Sequence, residues 1–117
     1  MAKNLREQVF ERCQGYCEKC GKPLLEGWAL HHRQLRSQGG KDVIENFLAL
    51  HHVCHNTGTK SVHMNPSNSI ENGYIVPSWA KPEESPVTLA DGSSVILTSE
   101  GTYHYKKEEN EWLTNQI

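Results

Sequence analysis

Six of the seven histidines fall within the 34 residues from Leu30 to His63, in company with Asn46 and Cys54. Imidazole is the commonest metal ligand and also titrates close to neutral pH. Such a density therefore points to metal binding or proton transfer rather than to scattered surface residues. It also constrains the fold, because distant segments must deliver several rings to one place.

The rest of the chain offers limited means of doing so. At 117 residues it is one small domain, and with 36% hydrophobic and 8% aromatic residues its core is lean. Domains of this kind commonly need a staple, either disulfides or a structural metal. The cysteines are Cys13, Cys17, Cys20 and Cys54, three of them crowded into eight residues. This spacing, with histidines nearby, favours a metal in a reducing compartment over a disulfide framework. CEKCG at 17–21 reads as a knuckle: two thiolates two residues apart, with a glycine that accommodates the turn. A redox pair would use the same spacing, but it wants a thioredoxin-like βαβ context that is absent here. HHVC at 51–54 supplies the complementary half, so Cys17, Cys20, His51 and Cys54 form a Cys3His set for structural zinc. His52 is an alternative to His51. Cys13 is left as a small core residue.

Residues 4–14 have the spacing of an amphipathic helix. Leu5, Val9, Phe10 and Cys13 lie on one face, and Arg6, Glu7, Glu11 and Arg12 on the other. Asn4 is the N-terminal cap and Gly15 the stop. GWALHH at 27–32 suits a strand with Trp28 and Leu30 buried, SQGGKD at 37–42 turns the chain, and FLAL at 47–50 returns as a second strand. The polar stretch 57–73 accommodates one or two short helices, with Pro66 in a first turn and Gly73 at an end. The order is strand, loop, strand, helix. PSWAKPEESP at 77–86 then reads as a linker, and 86–99 as a β-hairpin around Asp91-Gly92. The tail from Tyr103, with KKEENE, reads as solvated charge, and His104 within it has no assigned role.

The net charge of −2 is unevenly placed. Residues 1–63 carry nine Lys/Arg against six Asp/Glu, and residues 64–117 carry three against eight. An anionic partner is therefore expected at the basic, His-rich half, although the overall balance argues against strong non-specific DNA binding. The N-terminus MAKNLREQVF is charged throughout and no apolar run approaches membrane length. Neither a signal peptide nor a membrane partner is expected, and the expected location is the cytoplasm.

CEKCG, HHRQLRSQGG and ENFLALHHVCHN in succession resemble the HNH endonucleases of the zinc-knuckle branch, over roughly residues 10–80. GYIVPSW at 73–79 looks like small phage-type members. The resemblance implies an α+β fold with a ββα-metal core (His-Me finger, treble-clef-like), preceded by the N-terminal helix and followed by the C-terminal β-hairpin. It implies an HNH core over 1–80, with 81–117 packed on or trailing from it, in a bacterial or phage-infected host cell. The name-giving residues match His32, Asn46 and His55, and His51 stands where the family has a zinc cysteine. By this resemblance His31 is a ligand of a catalytic divalent ion (Mg2+, Mn2+ or another transition metal), with His55, His63 or both from the helical side. Asn56 is a lesser alternative. His32 is then the general base, and Asn46 holds the connecting loop and fixes the orientation of His32. Arg33, Arg36 and Lys41 are candidates for contacts to DNA phosphates. The implied activity is one-metal hydrolysis of DNA phosphodiester bonds, targeted by DNA structure or by a partner protein. The competing reading is a non-catalytic, zinc-stapled module that binds nucleic acid or protein.

Overall fold

The computed structural model describes residues 3–105. Helix α1, Leu5–Arg12, starts where the sequence asks it to. The Asn4 side chain accepts from the Glu7 amide at 2.8 Å, and the Glu7 carboxylate accepts from the Asn4 amide at 3.1 Å. This reciprocal capping box satisfies two otherwise orphaned donors. After Cys13 the chain reverses through Gln14 and Gly15, both at positive φ. Val9 and Cys13 are buried, as expected, whereas Phe10 keeps 42% of its surface exposed and stacks on Trp28.

Strands β1, Ala29–His32, and β2, Phe47–Leu50, pair antiparallel, with Ala29 opposite Leu50 and His32 opposite Phe47. Trp28 is buried just ahead of β1, and Leu30 is half-buried. The loop between the strands contains the expected double glycine. A side chain at Gly40 would collide with the backbone carbonyl of Gln34, and the Gly40 amide donates to Leu35 O at 2.9 Å.

Every residue of β2 is buried, because the strand divides the core. Alternate side chains of a strand point to opposite faces. Phe47 and Ala49 face one cluster with Val9, Cys13, Trp28 and Ile44. Leu48 and Leu50 face the other, with Cys17, Val62, Tyr74, Val87, Val95 and Leu97.

Beyond β2 come a single π-helical turn, Val53–Thr57, and helix α2, Pro66–Glu71, with Pro66 in its first turn. Gly73 follows at positive φ, and a side chain there would strike the Pro86 carbonyl. The C-terminal region is larger than a hairpin. Strands β3 (Val87–Thr88), β4 (Ser94–Leu97) and β5 (Tyr103–Tyr105) form an antiparallel sheet in that order. The first residues of the expected solvated tail are thus a strand, with Ile96 opposite His104. KKEENE lies outside the described residues. Among the described residues no helix is long and apolar enough to cross a membrane.

Arg12, expected on the polar face of α1, is instead buried, and so is Glu18. Arg12 and Glu18 form a two-pronged ion pair, Nε to Oε2 at 2.9 Å and Nη2 to Oε1 at 2.8 Å, with side-chain exposures of 0% and 1%. Arg12 also donates to the carbonyls of Ile44 and Phe47, while Glu18 accepts from the Ala49 amide and from the Tyr103 hydroxyl at 2.6 Å. Helix α1, the knuckle, β2 and β5 therefore meet on one carboxylate. Removing half of a buried pair strands the other charge, so Glu18→Ala is expected to cost about 3–5 kcal/mol in denaturant unfolding. A loss below about 1 kcal/mol would show that the pair is solvated.

Candidate metal centres

The knuckle is shaped by backbone hydrogen bonds. The Cys17 amide donates to Lys22 O, the Gly21 amide donates back to Cys17 O, both at 2.8 Å, and Gly21 adopts positive φ. Cys17 is thereby buried and Cys20 faces outward. Across from them, the end of β2 delivers His51 and the π turn delivers Cys54. The four ligand atoms of Cys17, Cys20, His51 and Cys54 all lie within 4.8 Å of one another. Tetrahedral zinc, with bonds of about 2.0–2.3 Å, needs ligand separations only slightly smaller.

The donor chemistry agrees with this geometry. All four cysteines are free thiols. Burial opposes ionisation of Cys17, yet the amides of Cys20, His51 and Lys19 together hold its thiol below the ordinary value. Burial, followed by the neighbouring Cys17, pushes Cys54 up to about 12. Thiols packed this closely oppose one another's ionisation unless a cation lies among them. His51 Nε2 is 2.7 Å from the Pro23 carbonyl, to which it must donate. Its Nδ1, 3.2 Å from Cys20 Sγ, then keeps the lone pair a metal requires. His52 is exposed and outside this group.

A second cluster is built from histidine alone. His31 on β1, His55 in the π turn and His63 beyond it bring their ligand nitrogens within 4.8 Å of one another. Both of the helical-side candidates, His55 and His63, thus have their rings beside His31. The His63 amide donates to His55 O and the Val62 amide to Cys54 O, which holds the 62–63 segment alongside the π turn. His55 Nε2 and His63 Nε2 face each other at 3.0 Å.

His31 is buried and its Nε2 donates to Tyr74 O at 2.7 Å, leaving Nδ1 with its lone pair. Burial, opposed by that bond and aided by His55 and His63, pulls its pKa down to about 3. Burial and then His63 lower that of His55. Neutral imidazole is the metal-binding form. Three converging rings, those of His31 and His55 favoured as neutral by burial, thus fit a divalent ion. Asn56 is exposed on the π turn.

His32, at the end of β1, stands apart from the trio. Its ring tilts over Phe47 with centroids 4.5 Å apart, and Nε2 lies 2.9 Å from Asp42 Oδ1. About 29% of its side chain remains exposed. Asp42 also accepts from Arg36 Nη2 at 2.6 Å, and the bonds from His32 and then Arg36 hold its carboxyl below the usual range. Asn46 is fully buried: its Oδ1 accepts from the Gln34 amide at 2.8 Å, and its Nδ2 donates to the Gln34 and Lys41 carbonyls at 3.0 Å. These bonds hold the loop between the strands, whereas the polar contact to the His32 ring comes from Asp42.

Arg33, expected to touch phosphate, is corrected by its burial. It is 1% exposed and donates to four carbonyls, those of Glu45, Gly73, Pro82 and Ser85, at 2.6–3.0 Å. Desolvation lowers its pKa to about 9, which leaves it charged at neutral pH. Arg36 and Lys41 stay on the surface. Sequence reasoning also missed Asp42, Tyr74 and Glu18. Their roles depend on contacts across loops or between distant segments, for which no local pattern exists.

A family model described as HNH endonuclease matches residues 17–61. No curated protein and no solved structure gives a match. The matched stretch contains the whole Cys3His cluster, His31, His32, Asn46 and His55, and ends two residues before His63. Over residues 17–61, this chain is similar to the HNH endonuclease family.

Proposed function

We propose that the protein is an endonuclease that hydrolyses DNA phosphodiester bonds with the help of one divalent ion. In this reading β1, β2 and the helical segment after them act as a ββα-metal core. Cys17, Cys20, His51 and Cys54 would hold a structural zinc, and His31, His55 and His63 the catalytic ion. The observation that carries the reading is the separation of two clusters, with a further histidine, His32, next to His31 in the chain, outside both clusters and partly exposed. A zinc-stapled binding module uses the first cluster and leaves the second without a purpose.

The bound ion would supply Lewis-acid stabilisation of the charge that develops on the phosphate. His32 takes a proton from water as the water oxygen attacks phosphorus. The P–O bond to the leaving group breaks, and its electron pair departs with the deoxyribose oxygen, which is protonated by solvent. Asn46 keeps the loop closed on the strand, and Arg36 and Lys41 meet flanking phosphates. Three imidazoles without a carboxylate favour a transition metal over Mg2+.

Zinc-loaded protein is therefore expected to nick supercoiled plasmid on addition of Mn2+, more slowly with Mg2+, and to stop on chelation. Protein that holds one zinc and leaves plasmid intact with Mn2+, Mg2+, Co2+ and Ni2+ would be the non-catalytic module instead.

A further inference from the structure

We infer that Asp42 is the residue that orients His32, and that Asn46 acts on this histidine only through the loop that carries Asp42; the inference rests on His32 being the base. A carboxylate can only accept a hydrogen bond. The 2.9 Å contact to Asp42 Oδ1 therefore places the ring proton of neutral His32 on Nε2. Nδ1 is left with the lone pair and becomes the nitrogen that receives the proton from water. Phe47, directly opposite His32 in the strand register, bears on the ring and limits its rotation.

Asp42 is itself held on two sides. Arg36 binds it through Nη2 to Oδ2 at 2.6 Å and Nε to Oδ1 at 3.3 Å. On the chain side, the preceding carbonyl, that of Lys41, accepts from Asn46 Nδ2. The same amide group pairs with both the N–H and the C=O of Gln34, two residues beyond His32. One fully buried side chain thus fixes the loop at both ends, and the loop presents Asp42 to the ring. The polar contact that sets the tautomer is ten residues from His32 and four from Asn46, at a position to which the sequence assigned no role.

The test compares zinc-loaded wild type with Asp42→Ala, Asp42→Glu and His32→Ala. Long-range 1H–15N spectra, with the His32 signals identified by their loss in His32→Ala, are expected to show the Nε2–H tautomer in wild type. A mixture of both tautomers is expected in Asp42→Ala. Plasmid nicking by Asp42→Ala should lose about 10- to 100-fold in kcat with KM changed less than about twofold. Asp42→Glu, which keeps an acceptor at this exposed site, should recover part of both the tautomer and the rate.

An Asp42→Ala protein with the wild-type tautomer and kcat would overturn the inference and leave the nuclease reading intact. So would a loss confined to KM, which would make Asp42 a partner of Arg36 in holding DNA. Cleavage that survives His32→Ala would remove the base assignment and this inference with it. A wild-type protein that cleaves nothing would remove the nuclease reading as a whole.

Discussion

His32→Ala is expected to lower plasmid nicking by about 10²- to 10⁴-fold, the usual loss when a general base is removed, with zinc content and thermal unfolding unchanged. The contacts of the ring explain why activity and stability should separate. His32 is partly exposed at a strand end and touches Phe47 and Asp42, but it belongs to neither ligand cluster. Truncation therefore opens no sealed cavity and removes no ligand. His31→Ala differs in both respects, because His31 is buried, bonded to Tyr74 O and part of the trio. Nicking rate, bound zinc and unfolding midpoint should be measured on the same preparations. Cleavage at the wild-type rate by His32→Ala would end its assignment as the base.

Loss of the Cys3His cluster should be more drastic for the fold. Cys17 is 1% exposed and packs with Leu48, Leu50, Val62 and Tyr74, so this ligand is also a core residue. Structural zinc binds with roughly 10–16 kcal/mol in comparable sites, about as much as the entire stability of an ordinary domain, ~5–15 kcal/mol. Cys17→Ser, or exhaustive chelation, is expected to abolish the cooperative unfolding transition and the native circular dichroism spectrum. Nicking should disappear at the same time, since Cys54 and His55 are neighbours on one π turn. An apoprotein with a sharp transition would show that β2 and the two hydrophobic clusters suffice without the staple.

Much of this architecture was legible in the sequence wherever a local pattern carried it. Asn4 with Glu7 announced the cap of α1, the two short apolar runs announced β1 and β2, and the cysteine spacing announced the knuckle. The trio was legible as a set of histidines, but only the fold could bring His63 beside His55 across eight residues. What remained hidden was the non-local use of polar groups. Arg12 and Arg33 read as surface charges because such residues are seldom fully buried, yet both are buried, as is Glu18, and all three have partners from distant segments. Strand β5 was concealed because YHY opens a highly charged tail. Its pairing with β4 and the bond from Tyr103 to Glu18, 85 residues away, have no signature in that tail. The bond from His32 to Asp42 was concealed likewise, since it depends on how the loop closes.

The guanidinium of Arg33 has a practical bearing on how this small protein is to be handled. Its four acceptors belong to residues 45, 73, 82 and 85, so the side chain is fully satisfied only when the chain continues past residue 80, the expected end of the HNH core. A minimal fragment trimmed at that apparent seam would leave a sealed-in cation with half its acceptor residues missing. An accessory module is better inserted at the Asp91–Gly92 turn. Both residues are exposed there, and an added side chain at Gly92 would meet nothing, so a graft would leave the arginine undisturbed.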